Sequence, residues 1–110
     1  MKTIIIPVRD LTSAKALYRE LLGVAPHMDE PWYVGFTVDG QEIGLDPHGH
    51  DKGMTGPVVY RHVDDIHTMR KLLLDVGAES VQDVTDVGGG KLVATVRDAD
   101  GNAIGLLQPA

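Results

Sequence analysis

Two seven-residue segments of this chain nearly repeat each other. Residues 39–45 read DGQEIGL and residues 100–106 read DGNAIGL, so five of seven positions are identical at an offset of 61. In both copies a glycine-containing turn precedes an alternating apolar strand. The chain is therefore predicted to consist of two copies of one supersecondary unit, which we place at about residues 1–52 and 53–110.

Each copy also contains an amphipathic helix that ends at a glycine. Helices are predicted over residues 12–22, before Gly23, and over residues 66–76, before Gly77. Their apolar residues follow the spacing of a buried helix face. The residues predicted to be buried are Ala14, Leu17, Tyr18, Leu21 and Leu22, then Ile66, Met69, Leu72, Leu73 and Val76. The predicted N-caps are Thr12 or Ser13 in the first helix and Asp65 in the second.

One strand is predicted before each helix and three strands after it, which gives the order β-α-β-β-β twice. In the first copy the predicted strands are 3–8, 25–28, 33–38 and 41–46. In the second copy they are 58–63, 80–85, 91–97 and 103–108. Residues 47–57, rich in glycine and histidine, form the predicted link between the copies.

Length, charge and cysteine content narrow the class of protein. A chain of 110 residues is predicted to form one domain, and its formal charge of −6 disfavours nucleic acid and anionic membranes as partners. It has no cysteine, so any metal would need His, Asp or Glu ligands. The apolar run from Ile4 to Val8 is too short for a secretory signal, and no stretch approaches the ~20 apolar residues of a transmembrane helix. We expect a cytoplasmic protein.

Four segments together resemble the vicinal-oxygen-chelate superfamily. They are IPVRDLTSAKALYRELLGV, DGQEIGL, VDDIHTMRKLLLDVGAE and VRDADGNAIGLLQP, and they cover nearly the whole chain. The superfamily includes glyoxalase I, extradiol dioxygenases, methylmalonyl-CoA epimerase and bleomycin resistance proteins. The resemblance implies an α+β fold in which two βαβββ modules form a curved mixed sheet with a central cavity, and it implies a homodimer.

The resemblance also implies four positions for metal ligands, one on the first and last strand of each module. These positions correspond to Thr3, Gly44, Val58 and Gly105 in this sequence. Only the Thr3 hydroxyl is even a weak ligand. The superfamily's metal-binding side chains are therefore absent from these positions, and we expect no metal cofactor.

Strand alternation predicts which residues face the cavity. Glu42, Gly44 and Asp46 are predicted to share one face, as are Tyr60 and His62 on their strand. Glycine inside a strand is costly and often marks close approach by a backbone or a ligand. The two matching mid-strand glycines, Gly44 and Gly105, are explained either by repeat ancestry or by room for a flat organic molecule.

The segment DPHGHD offers a second location for a metal or proton-transfer site. Asp46, His48, His50 and Asp51 have suitable donor atoms, but Pro47 and Gly49 are typical of an ordinary turn. A solvated loop is the favoured interpretation. A lid over a ligand is an intermediate one.

Other candidates for ligand binding are the aromatic and acid–base residues of the predicted cavity strands. Trp32 and Tyr33 offer flat contacts, whereas Phe36 is expected in the core. Glu42 and His62 are candidate acid, base or orienting groups, each weighed against a structural role. His27 and His67 are expected at the surface. The predicted ligand-binding residues are Trp32, Tyr33, Glu42, Gly44, Tyr60, His62 and Gly105.

The function favoured by the resemblance is metal-free binding of a small, partly apolar organic compound, as in bleomycin resistance proteins. The alternative is a metal-dependent lyase, epimerase or dioxygenase whose ligands have moved to Glu42, Asp46, His48, His50 or His62. A third hypothesis is a structural or partner-binding domain. It gains support if side chains fill the space between Gly44, Gly105, Tyr60 and Trp32 and leave no ligand-sized void.

Overall fold

The computed structural model describes residues 2–110 and has the predicted α+β architecture of two βαβββ units. Residues 2–58 and 59–110 form two compact units. The first contains β1 (Thr3–Pro7), α1 (Leu11–Leu22), β2 (Met28–Glu30), β3 (Tyr33–Val38), β4 (Gln41–Asp46) and a short 3-10 turn (His50–Lys52). The second contains β5 (Val58–His62, whose first residue falls in the first unit), α2 (Ile66–Asp75), β6 (Glu79–Asp86), β7 (Leu92–Arg97) and β8 (Ala103–Gln108).

The strands of the two units are connected in the same way. In the first unit the order is β2-β3-β4-β1, with β1 parallel to β4 and the other neighbours antiparallel. In the second unit the order is β6-β7-β8-β5, with β5 parallel to β8. A parallel first and last strand requires a crossover, which the helix of each unit supplies. The repeat seen in the sequence is thus a repeat of topology.

The predicted strand at residues 25–28 is wrong, since β2 runs from Met28 to Glu30. Pro26 has no amide hydrogen to give to a ladder. Pairing begins only where Met28 meets Gly35, and it ends at the turn where Glu30 faces Tyr33. The short strand is therefore fixed by its partner β3, not by its own polar sequence.

Both helices begin at an aspartate, which corrects the predicted N-cap of α1. Asp10 has an extended backbone, and its carboxylate accepts hydrogen bonds from the Ser13 amide at 3.1 Å and the Ser13 hydroxyl at 2.9 Å. Asp65 accepts the same pair of hydrogen bonds from Thr68, at 3.1 and 2.9 Å. Ser13 cannot be the cap because its hydroxyl is a donor to Asp10. The prediction of Asp65 is confirmed.

Replacing either cap is expected to lower the thermal midpoint. The hydrogen bonds from Ser13 hold the pKa of Asp10 below its ordinary value, and those from Thr68 do the same for Asp65. A lowered folded-state pKa contributes stability that is present at neutral pH and lost as the pH falls through that pKa. Thermal unfolding of Asp10→Ala and Asp65→Ala at several pH values measures this loss, with the exposed Asp64→Ala as the charge-matched control. Identical midpoints for Asp65→Ala and Asp64→Ala would contradict the assignment.

A separate core lies between the helix and the sheet in each unit. In the first unit Val34, Phe36 and Leu45 are fully buried against α1, which confirms the core position of Phe36. In the second unit Ile66, Ala94 and Leu106 are buried with Val63. The sheet face that each helix covers is therefore apolar, and a site built from polar side chains is expected on the opposite face.

The buried stripe of each helix is narrower than predicted. The α1 residues in the core are Leu11, Ala14, Tyr18 and Leu22, and the α2 residues are Ile66, Met69 and Leu73. The predicted burial of Leu17, Leu21, Leu72 and Val76 is wrong, because these four side chains are exposed. Each helix contacts its core along a single stripe of residues, so the flanking apolar positions stay outside. Within residues 2–110 no helix has the length and apolar character needed to cross a bilayer.

Candidate functional site

The first unit's sheet has one face that does not pack on α1. Because Val34, Phe36 and Leu45 pack with the helix, strand alternation puts their neighbours on the opposite face. We call that side the site face. Its residues are Tyr33, Gly35 and Thr37 on β3 and Glu42, Gly44 and Asp46 on β4. The predicted common face of the three β4 residues agrees with this register.

Glu42 is the centre of a hydrogen-bonded cluster on the site face. Its Oε2 accepts a hydrogen bond from the Tyr33 hydroxyl at 2.6 Å, and its Oε1 accepts one from the Thr37 hydroxyl at 3.1 Å. The Nε2 atom of His27 lies 2.7 Å from the same Oε1. The Glu42 side chain is only 24% exposed. Two hydroxyl donors and the His27 contact, from three positions, hold this carboxylate in one orientation.

Tyr33 acts in this cluster as a donor. Burial raises the pKa of Tyr33 well above its ordinary value, and the hydrogen bond to Glu42 and the negative charges of Glu42 and Asp46 raise it further. A phenol in such an environment keeps its proton at any physiological pH. Tyr33 therefore holds Glu42 in place and is not a base.

Two glycines make space for this cluster. Gly35 and Gly44 face each other across β3 and β4. A Cβ atom at Gly35 would lie 2.7 Å from Glu42 Oε2, 2.9 Å from His27 Nε2 and 2.9 Å from Tyr33 Cε2. A Cβ atom at Gly44 would lie 2.5 Å from Tyr33 Cε1 and 2.7 Å from its Cζ. The space beside Gly44 is thus occupied by this chain's own tyrosine ring.

The second unit has the same packing of a tyrosine ring beside a glycine, at Gly105. Tyr60 is the direct strand partner of Gly105 and is 8% exposed. A Cβ atom at Gly105 would lie 2.5 to 2.8 Å from the Cδ2, Cγ and Cε2 atoms of Tyr60. His62 follows two residues later, partly buried and paired with Leu107. In each unit, therefore, a tyrosine ring packs beside the matching mid-strand glycine.

Trp32 is the most exposed of the predicted ligand-binding residues. It lies in the turn between β2 and β3, and it is 59% exposed. Its neighbour Tyr33 is half-buried in the cluster. The first unit thus brings Tyr33, Glu42 and Gly44 into contact and leaves Trp32 at the end of the hairpin. The roles of these residues in ligand binding remain predictions.

The DPHGHD segment is held against the end of β4 by Asp46. This buried carboxylate accepts the His48 amide at 2.8 Å and lies 2.8 Å from the Lys52 ammonium. His48 Nδ1 is 3.8 Å from Asp51, and His50 Nδ1 is buried without a hydrogen bond inside the described chain. The positive charge beside Asp46 is therefore supplied by a lysine of the same loop.

The residues present do not fit the metal centre that the resemblance implies. Gly44 and Gly105 have no side chains, Val58 has no donor atom, and tyrosine rings occupy the space beside both glycines. Nowhere in residues 2–110 do three His, Asp or Glu side chains form a group able to hold a metal ion. Glu42 and Asp46 are already engaged by hydrogen-bond donors.

His27 is a site residue that the sequence patterns miss. Its expected place is the surface, and its side chain is indeed 50% exposed, but it contacts Glu42. Strict alternation would pair His27 with Phe36 on the helix side. Because β2 begins only at Met28, His27 lies outside the pleat, and its amide donates to the Gly35 carbonyl at 2.9 Å. No periodic signal in the sequence predicts this placement.

Comparisons with known proteins agree with the fold. A family model described as the Glyoxalase/Bleomycin resistance protein/Dioxygenase superfamily matches residues 1–106. A Legionella pneumophila structure described as NAD-dependent benzaldehyde dehydrogenase is similar at 15% identity with a TM-score of 0.81, covering 98% of each chain. A superfamily member from Vibrio splendidus 12B01 is similar at 15% identity with a TM-score of 0.74, covering 97% of each chain. Methylmalonyl-CoA epimerase from Mycobacterium tuberculosis is similar at 21% identity with a TM-score of 0.70, covering 99% of this chain and 87% of that one. No curated protein sequence matches this chain.

Proposed function

Because the chain belongs to the Glyoxalase/Bleomycin resistance protein/Dioxygenase superfamily, we propose that it binds a small, partly apolar organic molecule without the superfamily's metal centre. The binding surface is the site face of the first unit. Family membership supports a small-molecule site in general terms. The absence of donor atoms at Gly44, Val58 and Gly105 supports the metal-free form of the proposal.

The observation that carries the proposal is the fixed orientation of Glu42. Its carboxylate accepts hydrogen bonds from Tyr33 and Thr37 and contacts His27, yet it lies on the side of the sheet away from the core. Partly exposed polar pairs add little to stability. Gly35 and Gly44 leave the space that the Tyr33 ring and the Glu42 carboxylate occupy. A charged group that is held in one orientation with little gain in stability is typical of a functional site.

The chemical character of the site face supports a partly apolar ligand. Ile5 on the neighbouring strand β1 is the strand partner of Gly44, and the Tyr33 ring lies across Gly44. Apolar surface thus borders the polar group of Glu42, Thr37 and His27. A ligand pocket commonly combines such apolar walls with a few fixed polar groups. A molecule with a flat apolar part and one hydrogen-bonding group suits this combination.

A fluorescence titration tests the proposal. Trp32 is the single tryptophan of the chain and lies next to Tyr33, so a panel of aromatic and heteroaromatic compounds is expected to give saturable quenching. Quenching is expected to be the same with and without a chelator. A requirement for added divalent metal, or bound metal that is lost in the His48→Ala His50→Ala double variant, would instead support the metal-dependent alternative. If no compound gives saturable quenching, the proposal fails.

Glu42→Ala is expected to weaken binding of a compound found in that panel about tenfold, since about 1.4 kcal/mol of interaction corresponds to that factor. The loss follows from removal of the group that Tyr33 and Thr37 orient. Glu20→Ala on the exposed surface of α1 is the control and is expected to leave affinity unchanged. Equal affinities for the two variants would show that Glu42 does not take part in binding.

A further inference from the structure

His27 and Glu42 have the geometry of an acid–base dyad, and we propose that His27 accepts the proton of a weakly acidic hydroxyl group, phenolic or enolic, on the molecule bound at the site face. This inference rests on the proposed function and names the chemical class of its ligand. It also assigns a role to His27, a residue with no place in the sequence motifs.

The contact between the two residues determines which ring nitrogen of a neutral His27 keeps its lone pair. Glu42 Oε1 lies 2.7 Å from His27 Nε2, and an ionised carboxylate only accepts hydrogen bonds. The Nε2 atom therefore carries the hydrogen of the neutral imidazole, and Nδ1 is left with its lone pair. A histidine whose tautomer is set by a carboxylate is the usual arrangement of a general base.

The position of His27 gives a ligand access to this base. Half of the side chain is exposed, at 50%, whereas Glu42 is mostly covered at 24%. The His27 amide donates a hydrogen bond of 2.9 Å to the Gly35 carbonyl, so the backbone that carries the ring is fixed beside β3. The exposed member of the pair is thus the base, and the covered member orients it.

The polar side chains next to the His27–Glu42 pair are engaged with Glu42 or with each other. Tyr33 and Thr37 on β3 both donate to the Glu42 carboxylate. On β2, Asp29 is paired with Lys15 of α1 at 3.0 Å, and Glu30 lies at the far end of that strand beside Tyr33. Tyr33 keeps its proton because burial raises its pKa. Glu42 is the charged group in contact with the imidazole.

The proton transfer needs no reactant besides the ligand and His27. The oxygen–hydrogen bond of the ligand breaks, its electron pair stays on the ligand oxygen, and a nitrogen–hydrogen bond forms at His27 Nδ1. The resulting imidazolium lies between the Glu42 carboxylate and the ligand anion, and both negative charges stabilise it. On release the proton returns to the ligand. Glu42 is a positioning residue in this step, because it acts through His27.

The ligand's hydroxyl must belong to a flat group. The apolar groups on the site face include the Tyr33 ring beside Gly44 and Ile5, the strand partner of Gly44 on β1. Flat apolar groups pack on such a surface. Phenols with electron-withdrawing groups and stabilised enols combine a planar apolar part with a hydroxyl whose acidity is close to that of an imidazolium.

Two probe compounds test the inference. para-Nitrophenol reports its ionisation by the visible absorbance of the phenolate, and para-nitroanisole has the same ring without an acidic proton. Wild-type protein is expected to lower the apparent pKa of bound para-nitrophenol by about one unit or more. His27→Gln retains a donor toward Glu42 but lacks the base, so the shift is expected to vanish. The surface variant His67→Gln is the control and is expected to behave as wild type.

para-Nitroanisole separates this inference from the proposed function. Its binding, followed by quenching of Trp32, is expected to be equal within about twofold in wild type and His27→Gln, less than half of the 1.4 kcal/mol that a tenfold change represents. A pKa shift of para-nitrophenol that persists in His27→Gln would overturn the dyad, and so would binding of both probes by wild type with no shift. If neither probe nor any compound of the wider panel binds, the proposed function itself is wrong.

Discussion

Gly105→Ala is expected to destabilise the folded chain by about 1 to 3 kcal/mol, the usual cost of adding a methyl group to a space that is already filled. The new Cβ atom would lie 2.5 Å from Cδ2 and 2.6 Å from Cγ of Tyr60. These atoms belong to the base of a buried ring, which cannot move aside without moving its strand. Urea denaturation measures the loss. Gly44→Ala is expected to cost less, since it meets the far end of the half-buried Tyr33 ring.

Gly56→Ala is the matched control for these substitutions. A Cβ atom added at Gly56 would have no neighbouring atom within 4 Å, and the backbone there is not left-handed, so alanine is expected to be neutral or slightly stabilising. Removing the ring provides the second check. In a Tyr33→Ala background, Gly44→Ala is expected to lose most of its cost. A Gly105→Ala protein as stable as Gly56→Ala would show that the tyrosine rings do not depend on the glycines.

The second large effect concerns binding more than stability. Gly35→Ala is expected to weaken binding of a site-face ligand at least about tenfold, or about 1.4 kcal/mol. Its Cβ atom would lie within 2.9 Å of atoms of Glu42, His27 and Tyr33. The Glu42 and His27 atoms are the ends of flexible side chains, so they can move away at small cost in folding. Moving away separates the carboxylate from the groups that orient it.

Comparison of the two glycine variants makes that prediction specific. Gly35→Ala is expected to change affinity strongly and the free energy of unfolding weakly, whereas Gly105→Ala is expected to change stability strongly. Ligand titration and urea denaturation of the same preparations give both quantities. A Gly35→Ala variant with wild-type affinity would mean that the cluster around Glu42 is not where the ligand binds. Loss of stability without loss of affinity would lead to the same conclusion.

The sequence predicts the order of elements well because the repeat and the helix patterns are local signals. β3, β4 and β8 have the predicted bounds, and both helices begin and end within one or two residues of the predicted positions. β2 is misplaced because its pairing with β3 depends on the turn at Pro31 and Trp32, and its own residues have little strand character. The extent of helix burial is overestimated because the apolar pattern does not specify how wide a sheet each helix covers.

The candidate site is only partly predictable for a similar reason. Alternation along β4 identifies Glu42 and Gly44 as neighbours on one face, and that prediction holds. It does not say what occupies the space beside a mid-strand glycine, which is Tyr33 in one unit and Tyr60 in the other. His27 joins the cluster from an irregular segment, whose residues follow neither helix nor strand periodicity.

The most direct test of the site face is to map a bound small molecule onto the protein. Backbone amide resonances recorded during a titration with para-nitroanisole, or with a compound from the fluorescence panel, locate the contact residue by residue. Binding at the site face predicts saturable shifts that are largest at Gly35, Thr37 and Glu42 and extend to His27. Shifts confined to α1 and α2, or no saturable shift with any compound that quenches Trp32, would contradict it.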